Sequence, residues 1–152
     1  MPEVAGIDGV SGGRLTLGLG LGARPDDFTA DGRGPTGLGK IMNSDLEVYR
    51  AVWNGDLVRG GMNPAVPEGT RQVPLMFGGT APAALSRLAR WGEGYVGASV
   101  PAEMVAGAFD GARAAWKQTG RSDSPRLAAI CYFALGNGEA GRANAYDYYS
   151  VS

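Results

Sequence analysis

The chain of 152 residues contains no histidine and a single cysteine, Cys131. Without histidine, Ser-His-Asp and Cys-His nucleophile systems are excluded within the chain, as are most zinc sites. No metal site is expected, and one cysteine permits no intrachain disulfide. Charge is sparse, at 19% of residues, and nearly balanced at a net −1. That balance gives no electrostatic footprint for nucleic acid or an anionic membrane, so neither is expected as a partner. Long apolar runs are missing too, since no segment approaches the roughly 18 apolar residues of a membrane span. Met1 to Gly13 has neither the basic start nor the apolar run of a signal peptide. A soluble, cytoplasmic protein is the expectation.

What the chain has in excess is glycine. Its 26 glycines are well over twice the usual share of about 7%. With 44% hydrophobic residues the composition is globular, and the length suits one domain. The glycines concentrate their effect in LTLGLGLG, Leu15 to Gly22, where every odd position is Leu and every even one Thr or Gly. That period of two predicts a strand over 14–22 with a leucine face and a nearly bare face. Glycine in a strand gives up packing and costs backbone entropy, so a bare face needs a reason.

Further along, 3–10 reads as the end of a helix or an irregular lead-in, and 31–40 as a loop. SDLEVYRAVWNG at 44–55 predicts a helix with Ser44 as N-cap, Glu47 completing a capping box, and Gly55 past its end. Its apolar stripe is Leu46, Tyr49, Val52 and Trp53. VPLMFGG at 73–79 is a short, wholly apolar run, as in a strand buried on both faces. A helix over 81–91 follows, with Ala84, Leu85 and Leu88 on one side and Arg87 and Arg90 on the other. GYVGAS at 94–99 predicts a third strand. A helix begins near Pro101 with the stripe Val105, Ala108, Phe109, Ala112 and Trp116, and Gly120 ends it. RLAAICYFALG at 126–136 predicts a fourth strand, and a fourth helix begins in GEAGRANAYDYYS. Four βα units in strict alternation imply a parallel sheet with crossover helices. An open doubly wound sheet and part of a (βα)₈ barrel both fit that pattern.

Gly18 to Ala23 formally matches the dinucleotide fingerprint G-x-G-x-x-G/A, but that motif works only where a helix starts inside it. Here Pro25 and a glycine-rich loop follow. Two readings of the bare face remain: room for large residues of neighbouring strands, or a flat ligand resting against it. Phe77-Gly78-Gly79-Thr80-Ala81-Pro82 is a strand ending in two glycines and running straight into a helix. Close backbone approach, a Thr80 cap and the positive helix end would suit a phosphate; an ordinary tight βα turn has the same sequence. Ser99, before the next helix, is either a second hydroxyl for that phosphate or a plain N-cap. Arg14, Arg24, Arg33 and Arg71 are expected in solvent, and Asp26 and Asp27 as unconverged loop carboxylates. Trp53, Trp91 and Trp116 read as packing anchors, and Cys131 as a buried, inert thiol in mid-strand.

With these residues in view, SGGRLTLGLGLG, SDLEVYRAVWNG and VPLMFGGTAPAALSRLARWGEGYVGAS together resemble the luciferase-like flavin-dependent oxidoreductases. The resemblance runs from about Glu3 to Ser150 and is most specific in the strand–GlyGly–helix segment. It implies an α/β fold, a partial TIM (β/α)₈ barrel of about four βα units. The chain is thereby expected to be one domain over 1–152, truncated relative to the family, without the first three strands and the eighth. Carried over, the flavin phosphate site falls on Gly78, Gly79 and Thr80. Gly97, Ala98 and Ser99 would help hold the phosphate or ribityl chain, and Gly20 and Gly22 would lie at the barrel mouth. No catalytic residue is assigned. The implied activity is that of a flavin-dependent monooxygenase or oxidoreductase, with FMN or a deazaflavin as cofactor and NAD(P)H or reduced flavin as electron source. The alternative is a non-catalytic flavin- or phosphate-binding half-barrel, or an inactive truncated paralogue. A small-molecule substrate of unknown identity and a homo-oligomer formed through the open side of the half-barrel complete the expectations.

Overall fold

The computed structural model describes residues 2–22, 28, 32, 36–58, 60–133, 135–136 and 138–149. Along them run α1 (Pro2–Val10), β1 (Leu17–Leu19), α2 (Leu38–Trp53), β2 (Leu75–Gly78), α3 (Pro82–Trp91), β3 (Gly94–Gly97), α4 (Ala102–Gln118), β4 (Arg126–Ala129) and α5 (Glu139–Tyr149). The expectations for Ala23, Arg24, Pro25, Asp26, Asp27 and Arg33 lie outside the described residues. The four strands form one parallel sheet in the order β1-β2-β3-β4. Each is joined to the next through a helix, as the alternation predicts.

Register divides the sheet into two unlike faces. Leu17 pairs with Leu75, Leu19 with Phe77, Phe77 with Tyr95, and Tyr95 with Leu127. Paired residues in a parallel ladder point to the same side, so these large apolar side chains share one face. Helices α2, α3 and α4 cover it and supply Leu46, Tyr49, Trp53, Leu88, Trp91, Ala112 and Trp116 to a single core. The leucine side of LTLGLGLG therefore packs beneath helices, and all three tryptophans are core anchors. The other face carries Gly18, Met76, Gly78, Gly94, Val96, Arg126 and Ala128.

This second face is concave. Arg126 on β4 reaches Thr16, just before β1, with Nη1 3.4 Å from Oγ1. Across a flat sheet of four strands those edges would stand about 14 Å apart. The sheet therefore curls toward its bare side, which is the curvature a barrel wall requires.

Several elements differ from their sequence-based expectation. Helix α2 begins at Leu38, six residues before Ser44, which is interior and caps nothing. Gly37, at φ 80°, holds the N-cap position with no side-chain cap bond. Leu38 and Met42 extend the stripe of Leu46 and Tyr49 upstream, and burying that stripe outweighs the capping motif. Strand β1 is three residues long rather than nine, and β4 ends at Ala129 rather than at 136. Both are edge strands, paired on one side only among the described residues, so no second neighbour extends their ladders. Cys131 accordingly lies past the strand and is exposed, not buried within it.

Arg87, placed by its spacing on the side of the helix opposite the apolar stripe, is nevertheless buried. Its Nε donates to Asn43 Oδ1 at 2.7 Å, and its guanidinium lies against Gly39 of α2, where a side chain would collide with it. The arginine thus fills the α2–α3 seam with its stem and finds a neutral acceptor at its head. Arg50 ties the same two helices at their other end, donating to Gln72 Oε1 and, at 2.8 Å, to Trp91 O.

Arg71 is likewise not simply solvated. Its Nε and Nη2 donate to Asp8 Oδ2 and Oδ1 at 3.1 and 2.6 Å, while Leu15 N donates to Asp8 Oδ1 at 3.2 Å. The buried Asp8 of α1 is in this way clamped to the start of β1 and to the lead-in of β2. The Arg71 guanidinium, more than the backbone N–H, holds the Asp8 carboxyl below its ordinary value of 3.8. A depressed carboxylate contributes stability that is present above the ordinary value and lost as pH falls through the depressed one. Acid titration below about pH 4 is therefore expected to release α1 first. Amide hydrogen exchange should show Leu15 and α1 opening before the core, and Asp8→Asn should show the same opening already at neutral pH.

Candidate functional site at the C-terminal ends of the strands

All four strands run the same way, so their C-terminal ends share one rim of the concave face. Gly20 follows β1 directly, Gly79 follows β2, and Ala98 follows β3. Open α/β sheets and barrels bind ligands at this end, because the turns into the helices point their backbone amides there.

The β2–α3 turn is the most developed part of the rim. Gly78 ends the strand, and a Cβ there would stand 3.3 Å from Val96 O. Gly79 takes φ 99°, a conformation that L side chains rarely adopt, and a Cβ would come 3.2 Å from Ala84 Cβ. Thr80 is not the helix cap. Ala81 holds that position, no side chain caps the helix, and Pro82 opens its first turn. Ala81 O accepts from Ala84 N and Leu85 N at 2.8 and 3.1 Å, which fixes the helix start. Gly79, Thr80 and Ala81 are exposed, so the positive end of the α3 dipole faces solvent over a turn without side-chain bulk. That geometry fits an oxyanion such as a phosphate.

The other predicted site residues divide. Gly18 lies on the concave face and Gly20 just past β1, and an added Cβ at either would meet nothing within 4 Å. Their bareness therefore accommodates no large neighbour from this sheet. Gly22, at φ 77°, lies past β1 beside the Phe28 ring. Gly97 points the other way: its Cβ would touch Phe109 and Val105 of α4, so glycine there serves helix packing. Ala98 is exposed and Ser99 partly so. Ser99 is not the N-cap of α4, a position held by Pro101. Residues 78–80 and 20 thus line one rim, whereas Gly97 turns its back to it.

At its N-terminal end the concave face is filled. An added Cβ at Gly94 would stand 2.8 Å from Arg126 Cβ and 2.9 Å from Met76 Cε. Met76, Arg126 and Thr16 form the floor, and the glycines leave the space above it open. Sequence reading did not single out this floor, because assigning Met76 and Arg126 to one face needs the four-strand register. No titratable acid or base stands on the open part of the face among the described residues. Burial pushes the hydroxyls of Tyr49 and Tyr95 up, but both belong to the helix-side core.

Residues 2–151 match the family model described as luciferase-like monooxygenase. The chain belongs to that family. Its members are flavin-dependent oxidoreductases on a TIM-barrel fold, using reduced flavin of the FMN or deazaflavin type. The curled sheet of four parallel strands is part of such a barrel, which decides between the two architectures that alternation left open. No curated protein matches the chain significantly. Among the described residues no helix is long and apolar enough to cross a membrane.

Proposed function

We propose that the chain binds a flavin through its phosphate at Gly78, Gly79 and Thr80, as part of a flavin-dependent oxidoreductase. The observation that carries this reading is the β2–α3 turn, with Gly79 at φ 99° and an exposed helix start free of side-chain caps. Ala98 and Ser99, on the adjacent strand exit, complete the phosphate or ribityl contacts, with Gly97 shaping the backbone behind them. Gly20 and Gly22 leave room at the mouth for a flat ring. When bound, the flavin supplies the redox chemistry, while the chain supplies position, an oxyanion cradle and a shaped apolar wall. FMN is favoured, and a deazaflavin coenzyme fits the same cradle. A non-catalytic flavin binder is the second reading, favoured by the lack of a titratable acid or base on the open part of the concave face among the described residues.

Phosphate dependence tests the proposal. FMN is expected to bind the purified chain about tenfold or more tightly than riboflavin, as read by quenching of flavin fluorescence. Gly79→Val should abolish that preference while far-UV circular dichroism stays unchanged. Equal affinity for FMN and riboflavin would remove the phosphate cradle from the argument. NAD(P)H oxidation by the loaded chain separates enzyme from binder.

A further inference from the structure

Asp8 and Arg87 are the charged residues buried among the described ones, and only Asp8 is paired, with Arg71. Arg87 is 6% exposed and meets no carboxylate among the described residues. Arg71, Arg90, Arg113 and Arg121 are all more exposed, yet each reaches a carboxylate. The hydrogen bond that Arg87 makes is the Nε donation to the neutral Asn43 Oδ1 at 2.7 Å. The N–H donors on Nη1 and Nη2 are left over. A buried guanidinium in that state is costly, because neither its charge nor most of its donors is answered.

Its surroundings sharpen the mismatch. Helical side chains lean toward the N-terminus of their helix, so Arg87 reaches back along α3 toward the rim. Nη2 lies against Gly39, the second residue of α2, and Leu21 flanks the same point from beyond β1. Glycine at 39 is what lets the guanidinium stand so close to that turn. Gly37 O already accepts from Lys40 N and Ile41 N, so the first turn of α2 presents N–H groups, those of Leu38 and Gly39. No side chain caps them, and neither α2 nor α3 has an acidic residue in its first turn. Lys40, exposed on the same turn, adds a second cation. Guanidinium donors, amide donors and the positive end of a helix dipole therefore face one another, with no acceptor between them among the described residues.

We infer that Arg87 and the first turn of α2 form a binding site for a phosphate oxyanion. A tetrahedral oxyanion brings several acceptor oxygens and the missing negative charge together. One edge of it suits the Nη1–Nη2 fork, and a further oxygen suits the amides of Leu38 and Gly39. A neutral acceptor would engage the donors but leave the charge unanswered. The inference stands on the α2–α3 seam and does not rest on the flavin reading, which places a phosphate at the β2–α3 turn. The phosphate group of a cofactor and free phosphate present the same chemistry here, and the experiment separates them.

Inorganic phosphate, exchanged for chloride at constant ionic strength, is expected to raise the melting temperature of the chain by about 3 °C or more at about 50 mM. Arg87→Met keeps most of the stem that fills the seam and loses the charge, so its melt should be indifferent to the exchange. Asn43→Asp sets a carboxylate beside the guanidinium. It should melt above the wild type without phosphate and gain less from adding it, and it decides alone if Arg87→Met fails to fold. Saturating FMN identifies the source. A phosphate response that disappears assigns the site to the phosphate of the flavin, and one that persists assigns it to a second phosphate-bearing ligand. Phosphate no better than chloride would overturn the inference. So would an undiminished response in Arg87→Met, or an Asn43→Asp chain less stable than the wild type, since the guanidinium would then already hold an anion from within the chain.

Discussion

Trp116→Ala is expected to cost about 3–5 kcal/mol, a large share of the roughly 5–15 kcal/mol of an ordinary domain. Trp116 is only 1% exposed and sits in the core where α4 meets the sheet, beside the fully buried Ala112. Deleting its ring opens a cavity between a helix and a strand layer, neither of which can collapse without breaking the β3–β4 register. The ring is also held at its rim. Nε1 donates to Asp123 Oδ1 at 3.0 Å, and the Arg121 guanidinium carbon lies 3.5 Å from the ring centroid. The indole N–H is the main reason the Asp123 carboxyl stays below its usual value, with Arg121 adding to it. Trp116→Phe separates the two roles, keeping most of the volume and losing the N–H. It should destabilise by clearly less than Trp116→Ala in urea melts. In both variants the Asp123 carboxyl should titrate closer to 3.8, which NMR can follow.

Most of the layer on the helix side was legible in the sequence, because periodicity reports which residues are buried together locally. The stripe of Leu46, Tyr49, Val52 and Trp53, the strand Leu75–Gly78 and the anchor Trp116 all follow from spacing alone. What was not legible depends on partners distant in sequence. Ser44 and Glu47 satisfy a capping rule, yet the helix runs through them because Leu38 and Met42 find a place beside β1. Arg87 reads only as a residue off the apolar stripe of its helix until Gly39 and Asn43 of another helix are set against it. Strand length at Leu15–Gly22 and Arg126–Gly136 is overestimated for a related reason, since propensity counts competent residues and a ladder counts available neighbours. At the candidate site the motif Gly78-Gly79-Thr80 was recognisable as a turn, whereas the floor of Met76 and Arg126 needed the register to appear.

Gly94→Val is expected to be as damaging as the loss of a core aromatic, at about 3 kcal/mol or more. The new Cβ would stand 2.5 Å from Arg126 O as well as close to Arg126 Cβ and Met76 Cε. A flexible side chain can move aside, but a carbonyl belonging to the β3–β4 ladder cannot without loss of its own pairing. Thermal melts should therefore fall steeply for Gly94→Val, and the Arg126–Thr16 contact across the floor should be lost. Gly18→Val on the same face makes the comparison, because a Cβ there meets nothing within 4 Å and the residue adopts ordinary strand geometry. Its melting temperature is expected to hold or rise, since valine suits a strand better than glycine does. Two glycines on one face thus have different causes. Gly94 is required by the packing of the floor. Gly18 has no steric neighbour within the sheet, so packing there does not call for glycine.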